Sequence, residues 1–242
     1  MVTESNNSMA ISRMYDYLLE EYGPQGWWPL LGYNGTNPTR TGTMKGYHPG
    51  DYTYPKTDEQ LFEICVGCIL VTHTAWANVE KALLYLQELT GFNPKILLDV
   101  NKTEIIQAIK PAGHYNNKAR TLIDFTEFFI SLNVKEPSRN ELISVWGIGE
   151  ETADTILLYA YKKPVFIVDA YTKKILLNLE LINEKSQNQE IKELFENNLQ
   201  PDFSLYQEYH ALLVEHGKRY YTGKGKDCPL LEYLKQERLK NR

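Results

Sequence analysis

The chain has 242 residues and a mass of 28.0 kDa, enough for one large domain or for two small lobes that share an interface. Its 43% hydrophobic and 24% charged residues exclude a disordered or fibrous protein, and its longest apolar run, residues 65–71, is too short to span a membrane. The formal net charge of −5 argues only mildly against a nucleic-acid partner, because the local distribution of charge decides binding.

The first predicted element is an amphipathic helix over residues 10–22. Residues 1–8 are polar and carry no signal-peptide core, so we expect a cytoplasmic protein with no membrane partner. Residues 23–56 are dense in Gly, Pro, Asn, Thr and Tyr, and no regular element is predicted there. Irregular segments of this length are usually functional or mobile.

The second predicted helix begins after Thr57, because residues 57–60 have the form of a capping box ahead of the apolar run 61–71. Within that run, Cys65 and Cys68 form a C-x-x-C pair, for which metal or redox chemistry is one interpretation. A zinc site needs two further ligands, and no second pair is spaced for it. We therefore expect two thiols buried in the core.

Helical periodicity continues along the rest of the chain, which predicts an all-α class. The predicted helices cover residues 78–89, 101 or 103 to 109, 116–131, 138 to the glycines at 147–149, 150–161, 170 or 171 to 179, 190–197 and 204–217. Residues 165–168 are either a strand or an extended loop. We expect three parts: residues 1–56 pack on the C-terminal lobe, residues 57–162 form a helical lobe that ends in a hairpin at 145–150, and residues 163–242 form the C-terminal part.

The last predicted feature is a basic tail over residues 216–242, which contains only three acidic residues. Its basic residues are Lys218, Arg219, Lys224, Lys226, Lys235, Arg238, Lys240 and Arg242. A basic face can exist on an acidic protein and would bind DNA phosphates, as we expect for Lys218. The solvated, charged end of a helix explains the same pattern equally well.

The most informative stretch is residues 141–172, where two helices meet at a turn containing Gly147 and Gly149. Glycines allow the turn to adopt positive φ and expose backbone N–H groups just ahead of a helix N-terminus. Those donors and the helix dipole favour an anion such as a phosphate. On the residues alone, an ordinary corner between two helices is the simpler interpretation.

This stretch resembles the signature of the endonuclease III superfamily of helix-hairpin-helix DNA glycosylases. In that family a hydrophobic-Pro-Gly-hydrophobic-Gly hairpin precedes Thr-Ala and an apolar run that closes on Val-Asp. The matching residues here are Val145, Trp146, Gly147, Ile148, Gly149, Thr152, Ala153, Ile167, Val168 and Asp169. Trp146 replaces the usual proline, which the turn tolerates because its glycines form it. The resemblance covers about residues 27–230 and implies a two-lobed helix-hairpin-helix glycosylase fold. It also implies DNA contacts by Trp146, Gly147, Ile148, Gly149 and Thr152.

The resemblance implies that the carboxylate of Asp169 faces the glycosidic bond of a flipped-out nucleotide. Breaking that bond builds positive charge on the sugar, which a carboxylate stabilises, and the same group can orient or deprotonate the attacking water. On the residues alone, Asp169 is more simply the N-cap of the helix that follows it. The two roles are compatible.

Glu151 distinguishes this chain from bifunctional members of the family, in which a lysine two residues after the second hairpin glycine forms a Schiff base with the sugar. A carboxylate cannot form an imine, so we expect a monofunctional enzyme without AP lyase activity. Glu151 would touch the flipped base or hold water. Its alternative role is to stabilise the first turn of its helix against the helix dipole.

No iron-sulfur cluster is expected. Many members of the family carry a four-cysteine cluster after a His-Gly step, and this chain keeps His216 and Gly217 but has only Cys228 beyond them. One thiolate cannot hold a cluster that needs four. No other cofactor is expected, and a structural monovalent cation at the hairpin is left open.

Residues 23–29, 69–81 and 110–119 resemble the 3-methyladenine DNA glycosylase III branch of the family. That resemblance implies that Trp27 and Trp76 sandwich the extruded base. N3-alkylated adenine is cationic and would gain about 0.5–2 kcal/mol on an indole face. Taken singly, each tryptophan is more simply a core anchor, and we expect Trp28 to be the structural one of the pocket.

One pair of residues departs from that branch. Thr72 and His73 stand where the branch has Gln-Asn, and that Gln commonly fills the gap left in the duplex by the flipped nucleotide. Thr72 contacts DNA in this scheme but is too short to fill the gap. We expect His73, which we assign to the base pocket, or the insertion over residues 32–54 to substitute.

These patterns predict base-excision repair by a monomer that acts on double-stranded DNA with a damaged base and associates with the nucleoid. The predicted reaction is hydrolysis of the N-glycosidic bond of an alkylated purine, most simply 3-methyladenine. An oxidised or deaminated base is the alternative substrate. A non-catalytic DNA-structure binder is the alternative from another functional class.

Overall fold

The computed structural model describes residues 4–38, 45–222 and 228–240, and in these ranges the regular structure is helical, with no strand. The predicted all-α class is confirmed, and residues 165–168 are extended loop. The α-helices are α1 (Glu4–Tyr22), α2 (Asp58–Leu70), α3 (Trp76–Thr90), α4 (Pro94–Asp99), α5 (Lys102–Ile109), α6 (Tyr115–Ser131), α7 (Arg139–Ser144), α8 (Glu150–Thr155), α9 (Ala170–Asn178), α10 (Asn188–Glu196), α11 (Phe203–Tyr220) and α12 (Pro229–Lys240).

Helices α2 to α6 pack together as one lobe. In its interior the ring of Phe62 on α2 lies 6.4 Å from that of Phe125 and 5.1 Å from that of Phe129, both on α6. Burying a side chain of this size stabilises the fold by about 1.5–3 kcal/mol. Cys65 and Cys68 lie on the same buried side of α2, where burial raises the pKa of both thiols, so the prediction of core thiols is confirmed.

Helices α1, α9, α11 and α12 form the second lobe. Helix α11 approaches α9 closely at Gly217, where an added Cβ would lie 2.4 Å from the ring of Tyr171, so no larger residue fits without a shift. Helix α1 is joined to α11 by a hydrogen bond of 2.8 Å from the hydroxyl of Tyr209 to the carbonyl of Ile11. These contacts place α11 at the centre of the lobe.

The two lobes meet at a turn of π-helix, Ile156–Ala160, which continues α8 without a break. All five of its residues are buried, and it packs against α2 of the first lobe and α11 of the second. Such π-turns occur often at functional sites. The turn leads into residues 162–169, which contain no helix or strand, so the hairpin and Asp169 both lie where the lobes join.

The irregular segment between α1 and α2 is fixed to α11 by the buried carboxylate of Glu208. One oxygen of Glu208 accepts a hydrogen bond of 2.7 Å from the backbone N–H of Gln25, and the other accepts one of 2.7 Å from the hydroxyl of Tyr52. As predicted, residues 23–38 and 45–56 contain no helix or strand. Residues 39–44 of the insertion lie outside the described residues.

Several element boundaries differ from the predicted ones. Helix α4 was not predicted, because six residues opened by Asn93 and Pro94 are too few to show a periodic pattern. Helix α12 occupies part of the predicted tail, and α1 begins six residues before the predicted start. Helix α7 ends at Ser144, ahead of the glycines, because Val145 already has extended backbone angles.

The three-part division of the chain stays an interpretation. No helix in the described part of the chain is both long and apolar enough to cross a membrane.

Candidate active site

The hairpin between α7 and α8 is a tight turn built around Gly147. Its φ of +82° is one that L side chains rarely adopt, and an added Cβ would lie 2.1 Å from Oγ1 of Thr121. The N–H of Ile148 donates to the carbonyl of Val145 at 3.1 Å, and the Ile148 side chain is buried. The N–H groups that open α8 after Gly149 have no acceptor inside the helix. The turn therefore has the form of an anion-binding site.

Trp146 projects from the same turn and is 41% exposed, with the guanidinium of Arg120 lying 4.0 Å from its ring centroid. Thr152 is half-buried in the first turns of α8. Of the hairpin residues predicted to contact DNA, Trp146 is thus exposed and Thr152 is partly accessible, whereas the Ile148 side chain is buried. Whether these residues contact DNA stays a prediction.

The hairpin is held in place by the buried carboxylate of Asp154 on α8. Arg139 of α7 donates to both of its oxygens at 2.7 and 3.1 Å, and the ammonium of Lys192 on α10 lies 3.0 Å from Oδ1. Buried charges are tolerated when they are paired and hydrogen-bonded in this way. This network fixes α7 and α8 relative to α10.

Asp169 follows the extended residues and caps α9, the structural role expected from the residues alone. Its Oδ1 accepts hydrogen bonds from the backbone N–H of Thr172 at 2.7 Å and from the hydroxyl of Thr172 at 2.8 Å. The side chain is 14% exposed. Because both donors meet Oδ1, the other oxygen is left to face the remaining groups of the site.

That oxygen faces His210 of α11, whose Nε2 lies 3.9 Å from Oδ2 of Asp169. On its other side, Nδ1 of His210 lies 2.9 Å from the hydroxyl of Tyr159 in the π-turn. The pKa of His210 is lowered by burial, which outweighs the opposing charge of Asp169; the ammonium of Lys218 lowers it further. His210 is therefore a buried, neutral imidazole at neutral pH.

Glu151 stands across from Asp169 in the first turn of α8. Surrounding protein atoms raise its pKa by desolvation, although its side chain reaches solvent, and the charge of Asp169 raises it further against the opposing effect of Lys173. This effect of Asp169 on Glu151 indicates that the two carboxylates lie near each other. The catalytic roles assigned to Glu151 and Asp169 stay predictions.

The three tryptophans assigned to the base pocket form a cluster. The ring centroid of Trp27 lies 5.5 Å from that of Trp28 and 4.9 Å from that of Trp76, and the rings of Trp28 and Trp76 are 5.3 Å apart. Trp28 also lies 5.3 Å from Tyr159, which joins the cluster to His210 and Asp169. Trp28 is 3% exposed, in keeping with its predicted structural role, and Trp27 is half-buried.

In this structure the tryptophan cluster leaves no room for a base between Trp27 and Trp76. Stacking a base between two rings needs about 7 Å between them, twice the ~3.5 Å contact distance of carbon atoms. Trp27 and Trp76 are closer than this and are inclined by 60° to each other. The cavity lined by Trp27, Tyr47 and Lys218 measures about 20 Å³, the room needed by a water molecule. Stacking of the flipped base between Trp27 and Trp76 therefore stays a prediction, and it requires Trp27 to move away from Trp76. A larger cavity of about 460 Å³, between the start of α2 and the end of α6, contains none of the predicted site residues.

Comparison with known proteins identifies the family. The family model for HhH-GPD superfamily base excision DNA repair proteins matches residues 66–201, more than half of the chain. The chain belongs to the HhH-GPD superfamily. It is 37% identical, over 95% of its own length and 98% of the relative's, to a Methanocaldococcus jannaschii protein that is provisionally named a DNA repair glycosylase.

Two solved structures share the fold of this HhH-GPD protein. Endonuclease III in a non-covalent complex with DNA matches with a TM-score of 0.73 and 19% identity, covering 99% of this chain and 100% of that one. Helicobacter pylori 3-methyladenine DNA glycosylase bound to 1,N6-ethenoadenine matches with a TM-score of 0.63 and 23% identity, covering 88% of this chain and 97% of that one. The predicted two-lobed glycosylase fold is confirmed.

Thr72 and His73 lie on an exposed loop of the HhH-GPD protein, outside the tryptophan cluster. His73 has a φ of +54° and its side chain is exposed. Its assignment to the base pocket and its gap-filling role both stay predictions. The loop is fixed by the buried ammonium of Lys118, which donates to the carbonyls of Thr72 at 3.0 Å and of Ala112 at 2.8 Å. It also donates to the hydroxyl of Thr74 at 2.7 Å.

The first basic residues of the predicted tail do not lie free on the surface. The ammonium of Lys218 lies 5.5 Å from the ring centroid of Trp27, and burial lowers its pKa, while Glu215 and Asp169 oppose the shift. The guanidinium of Arg219 is paired with Glu215 at 2.8 Å. The structure places Lys218 beside the base cluster, whereas we had expected it on the DNA-phosphate surface. Lys224, Lys226 and Arg242 lie outside the described residues, and so do the side chains of Arg238 and Lys240.

The residues present do not fit an iron-sulfur cluster. Two of the three cysteines of the chain, Cys65 and Cys68, are buried in α2, and only Cys228 follows the His-Gly step. Cys228 lies 3.2 Å from Nε2 of His216, whose Nδ1 contacts the hydroxyl of Tyr22 at 2.8 Å. Burial lowers the pKa of His216 to about 4, so the ring is neutral. In the described residues no group of three or more potential metal ligands occurs. The monovalent cation at the hairpin stays a prediction.

Sequence reasoning missed two residues of the site. His210 lies in the middle of an apolar helical stripe, where a histidine gives no sign of its distant partners Tyr159 and Asp169. Lys118 falls within a segment that resembles the family, but a lysine on a helix is normally taken as solvated. The periodicity of α6 places Lys118 on the buried face, and that signal was available.

Proposed function

We propose that this HhH-GPD protein is a monofunctional DNA glycosylase that hydrolyses the N-glycosidic bond of a flipped-out alkylated purine, most simply 3-methyladenine. The observation that carries the proposal is the position of Asp169: its carboxylate is oriented by Thr172 at the junction of the two lobes, and it is joined to the tryptophan cluster through His210 and Tyr159. A carboxylate and an aromatic surface are the two elements that base excision needs.

In the proposed reaction the carboxylate of Asp169 stabilises the positive charge that develops on the sugar as the bond to the base breaks. The base leaves with the electron pair of that bond, and water adds to the sugar carbon. N3-alkylated adenine is already cationic and departs as a neutral molecule. The departure of this base therefore needs no general acid in the site.

Glu151 supports the monofunctional part of the proposal. It occupies the position at which the family resemblance puts the imine-forming lysine of bifunctional members, and its carboxylate cannot form an imine. Its pKa is raised by desolvation and by Asp169, which suits a group that holds water or contacts the base. Strand cleavage would have to come from another amine.

A second substrate class has one observation in its favour. The ammonium of Lys218 lies beside Trp27, and a positive charge there disfavours a cationic base on that indole. A neutral oxidised or deaminated base would not be repelled. The lowered pKa of Lys218 reduces the conflict, since a lysine that releases its proton readily can accommodate a cation.

The experiment is incubation of the protein with duplex DNA that carries alkylated, oxidised or deaminated bases, with chromatography of released bases and scoring of strand breaks before and after alkali. Release of 3-methyladenine with breaks only after alkali is the expected result. Release only of another base would identify the second substrate class, and breaks without alkali would contradict the role given to Glu151.

Asp169→Asn separates an enzyme from a non-catalytic DNA-structure binder. The amide keeps the side-chain oxygen that caps α9 but removes the charge. Base release should fall at least about 100-fold while affinity for DNA is retained. A protein that binds damaged duplex but releases no base from any lesion, with or without the substitution, would be a binder.

A further inference from the structure

The buried pair of His210 and Asp169 carries an inference that rests on the proposed function. It concerns which proton His210 holds. The hydroxyl of Tyr159 has one proton and lies 3.0 Å from the backbone carbonyl of Gln207, which can only accept. The Tyr159 proton therefore goes to that carbonyl, because two lone pairs would otherwise face each other at hydrogen-bond distance.

The second contact of Tyr159 then fixes the tautomer of His210. Its hydroxyl oxygen lies 2.9 Å from Nδ1, and with its own proton already donated it must accept one from Nδ1–H. A neutral imidazole has a single N–H, so Nε2 is left as a lone pair. This assignment follows from the hydrogen-bond network. Burial, which lowers the pKa of His210, keeps the ring neutral.

The lone pair of Nε2 faces the other acceptor of the site. Oδ2 of Asp169 is 3.9 Å from it, too far for a direct hydrogen bond, and Oδ1 is already used by Thr172. A molecule with two O–H donors, such as water, can donate to both Nε2 and Oδ2 if its oxygen lies about 2.8 Å from each of these atoms. Both side chains are partly reached by solvent, at 9% and 14% exposure, so such a molecule has access.

We propose that Nε2 of His210 and Oδ2 of Asp169 together bind the water that attacks the sugar, and that His210 accepts the proton which this water loses. The water oxygen forms a bond to C1′ as the bond from C1′ to the base breaks and its electron pair leaves with the base. One water proton stays on the new sugar hydroxyl. The other moves to Nε2, from which it passes to solvent when the product departs. Asp169 remains ionised throughout.

Two substitutions of His210 separate this role from a structural one. His210→Asn places an amide N–H near the position of Nδ1, so it keeps a donor to Tyr159 and removes the acceptor that faces Asp169. His210→Gln places an amide oxygen near the position of Nε2, so it keeps an acceptor toward Asp169 and loses the donor to Tyr159. Tyr159→Phe removes the hydroxyl and leaves the imidazole in place.

The measurement is the single-turnover rate of base release from whichever lesion the unsubstituted protein processes, with affinity for duplex carrying an uncleavable abasic-site analogue and the thermal midpoint measured alongside. His210→Asn should lower the rate about 100-fold, the size of a general-base contribution, with little change in affinity. His210→Gln should recover at least about tenfold of that loss, and Tyr159→Phe should lower the rate less than His210→Asn does.

A purely structural role predicts the reverse ranking. His210→Asn would then resemble the unsubstituted protein, while His210→Gln and Tyr159→Phe would lose thermal stability and activity together. That ranking would overturn the inference and leave the proposed function intact, since Asp169→Asn would still abolish release. No release by the unsubstituted protein from alkylated, oxidised or deaminated DNA would overturn both.

Discussion

Oδ1 of Asp169 accepts two hydrogen bonds from the same residue, one from the backbone N–H of Thr172 and one from its hydroxyl. Thr172 is fully buried, so these bonds are shielded from water. A charge-assisted hydrogen bond of this kind contributes about 1.5–3 kcal/mol. These two hydrogen bonds fix both the start of α9 and the direction in which Oδ2 of Asp169 points.

Thr172→Val removes the hydroxyl and keeps the shape of the side chain. We expect the rate of base release to fall about tenfold, corresponding to about 1.4 kcal/mol, because the carboxylate then retains one of its two restraints. Thr172→Ser keeps the hydroxyl and is the matched control. Equal rates for the valine and serine variants, with equal thermal midpoints, would show that the hydroxyl does not orient Asp169.

The two hairpin glycines make a second, paired prediction. Gly147→Ala should destabilise the protein by about 1–3 kcal/mol, because alanine is strained at positive φ and its Cβ would meet Oγ1 of Thr121. Gly149→Ala should cost less than about 1 kcal/mol, since its φ is −92° and no atom lies within 4 Å of the added Cβ. Urea unfolding compares the two.

DNA affinity distinguishes these variants further. Gly149→Ala should weaken duplex binding without a matching loss of stability if the backbone that opens α8 approaches a phosphate. Unchanged affinity for both variants, measured by fluorescence anisotropy at two salt concentrations, would show that the hairpin does not contact DNA.

The sequence predicts the fold well where the pattern is local. Helical periodicity, the cap at Thr57 and the glycine turn at Gly147 are all set within a few neighbouring residues, and each was located correctly. Helix α12 was missed because charged residues dominate the tail and obscure the apolar positions Leu230 and Leu234, which are buried. The predicted boundaries of α1 and α7 were wrong: α1 begins six residues earlier, and α7 ends where Val145 adopts extended backbone angles.

The candidate site is less predictable because it depends on contacts between distant residues. The resemblance indicated Asp169 and the tryptophans, and the structure brings them together. The pairing of Tyr159 with His210 joins residues 51 positions apart, and no local pattern encodes it. The location of Lys218 beside Trp27 likewise follows from the packing of α11 and not from its own sequence neighbours.

Lys118 gives a third prediction, about the loop that carries Thr72 and His73. Lys118→Met leaves the carbonyls of Leu70 and Thr72 without their donor, at a cost of about 1–3 kcal/mol for each buried acceptor that water does not reach. We expect a lower thermal midpoint and a loop that no longer holds its position against the duplex.

The readout is the ratio of base release from double-stranded and single-stranded DNA. If the loop helps to expose the base, Lys118→Met should lower the rate on duplex DNA at least about tenfold more than on a single strand, where no flipping is required. His73→Ala, which removes an exposed side chain and none of the buried bonds, is the control for a direct contact. Equal losses on both substrates would indicate general destabilisation.

Lys218 gives the last prediction, because its charge distinguishes cationic from neutral bases. Burial lowers its pKa, so the ammonium loses its proton at a lower pH than an exposed lysine does. As the pH rises through that lowered value, repulsion of cationic 3-methyladenine should disappear, and the ratio of its release to that of a neutral deaminated purine should increase.

Lys218→Met should abolish the pH dependence of this release ratio and raise the ratio about tenfold at neutral pH, a change of about 1.4 kcal/mol. Lys218→Arg, which stays charged across this range, should keep the ratio low at every pH. A ratio that falls in Lys218→Met would mean that the lysine assists alkylated bases and that its charge does not select against them.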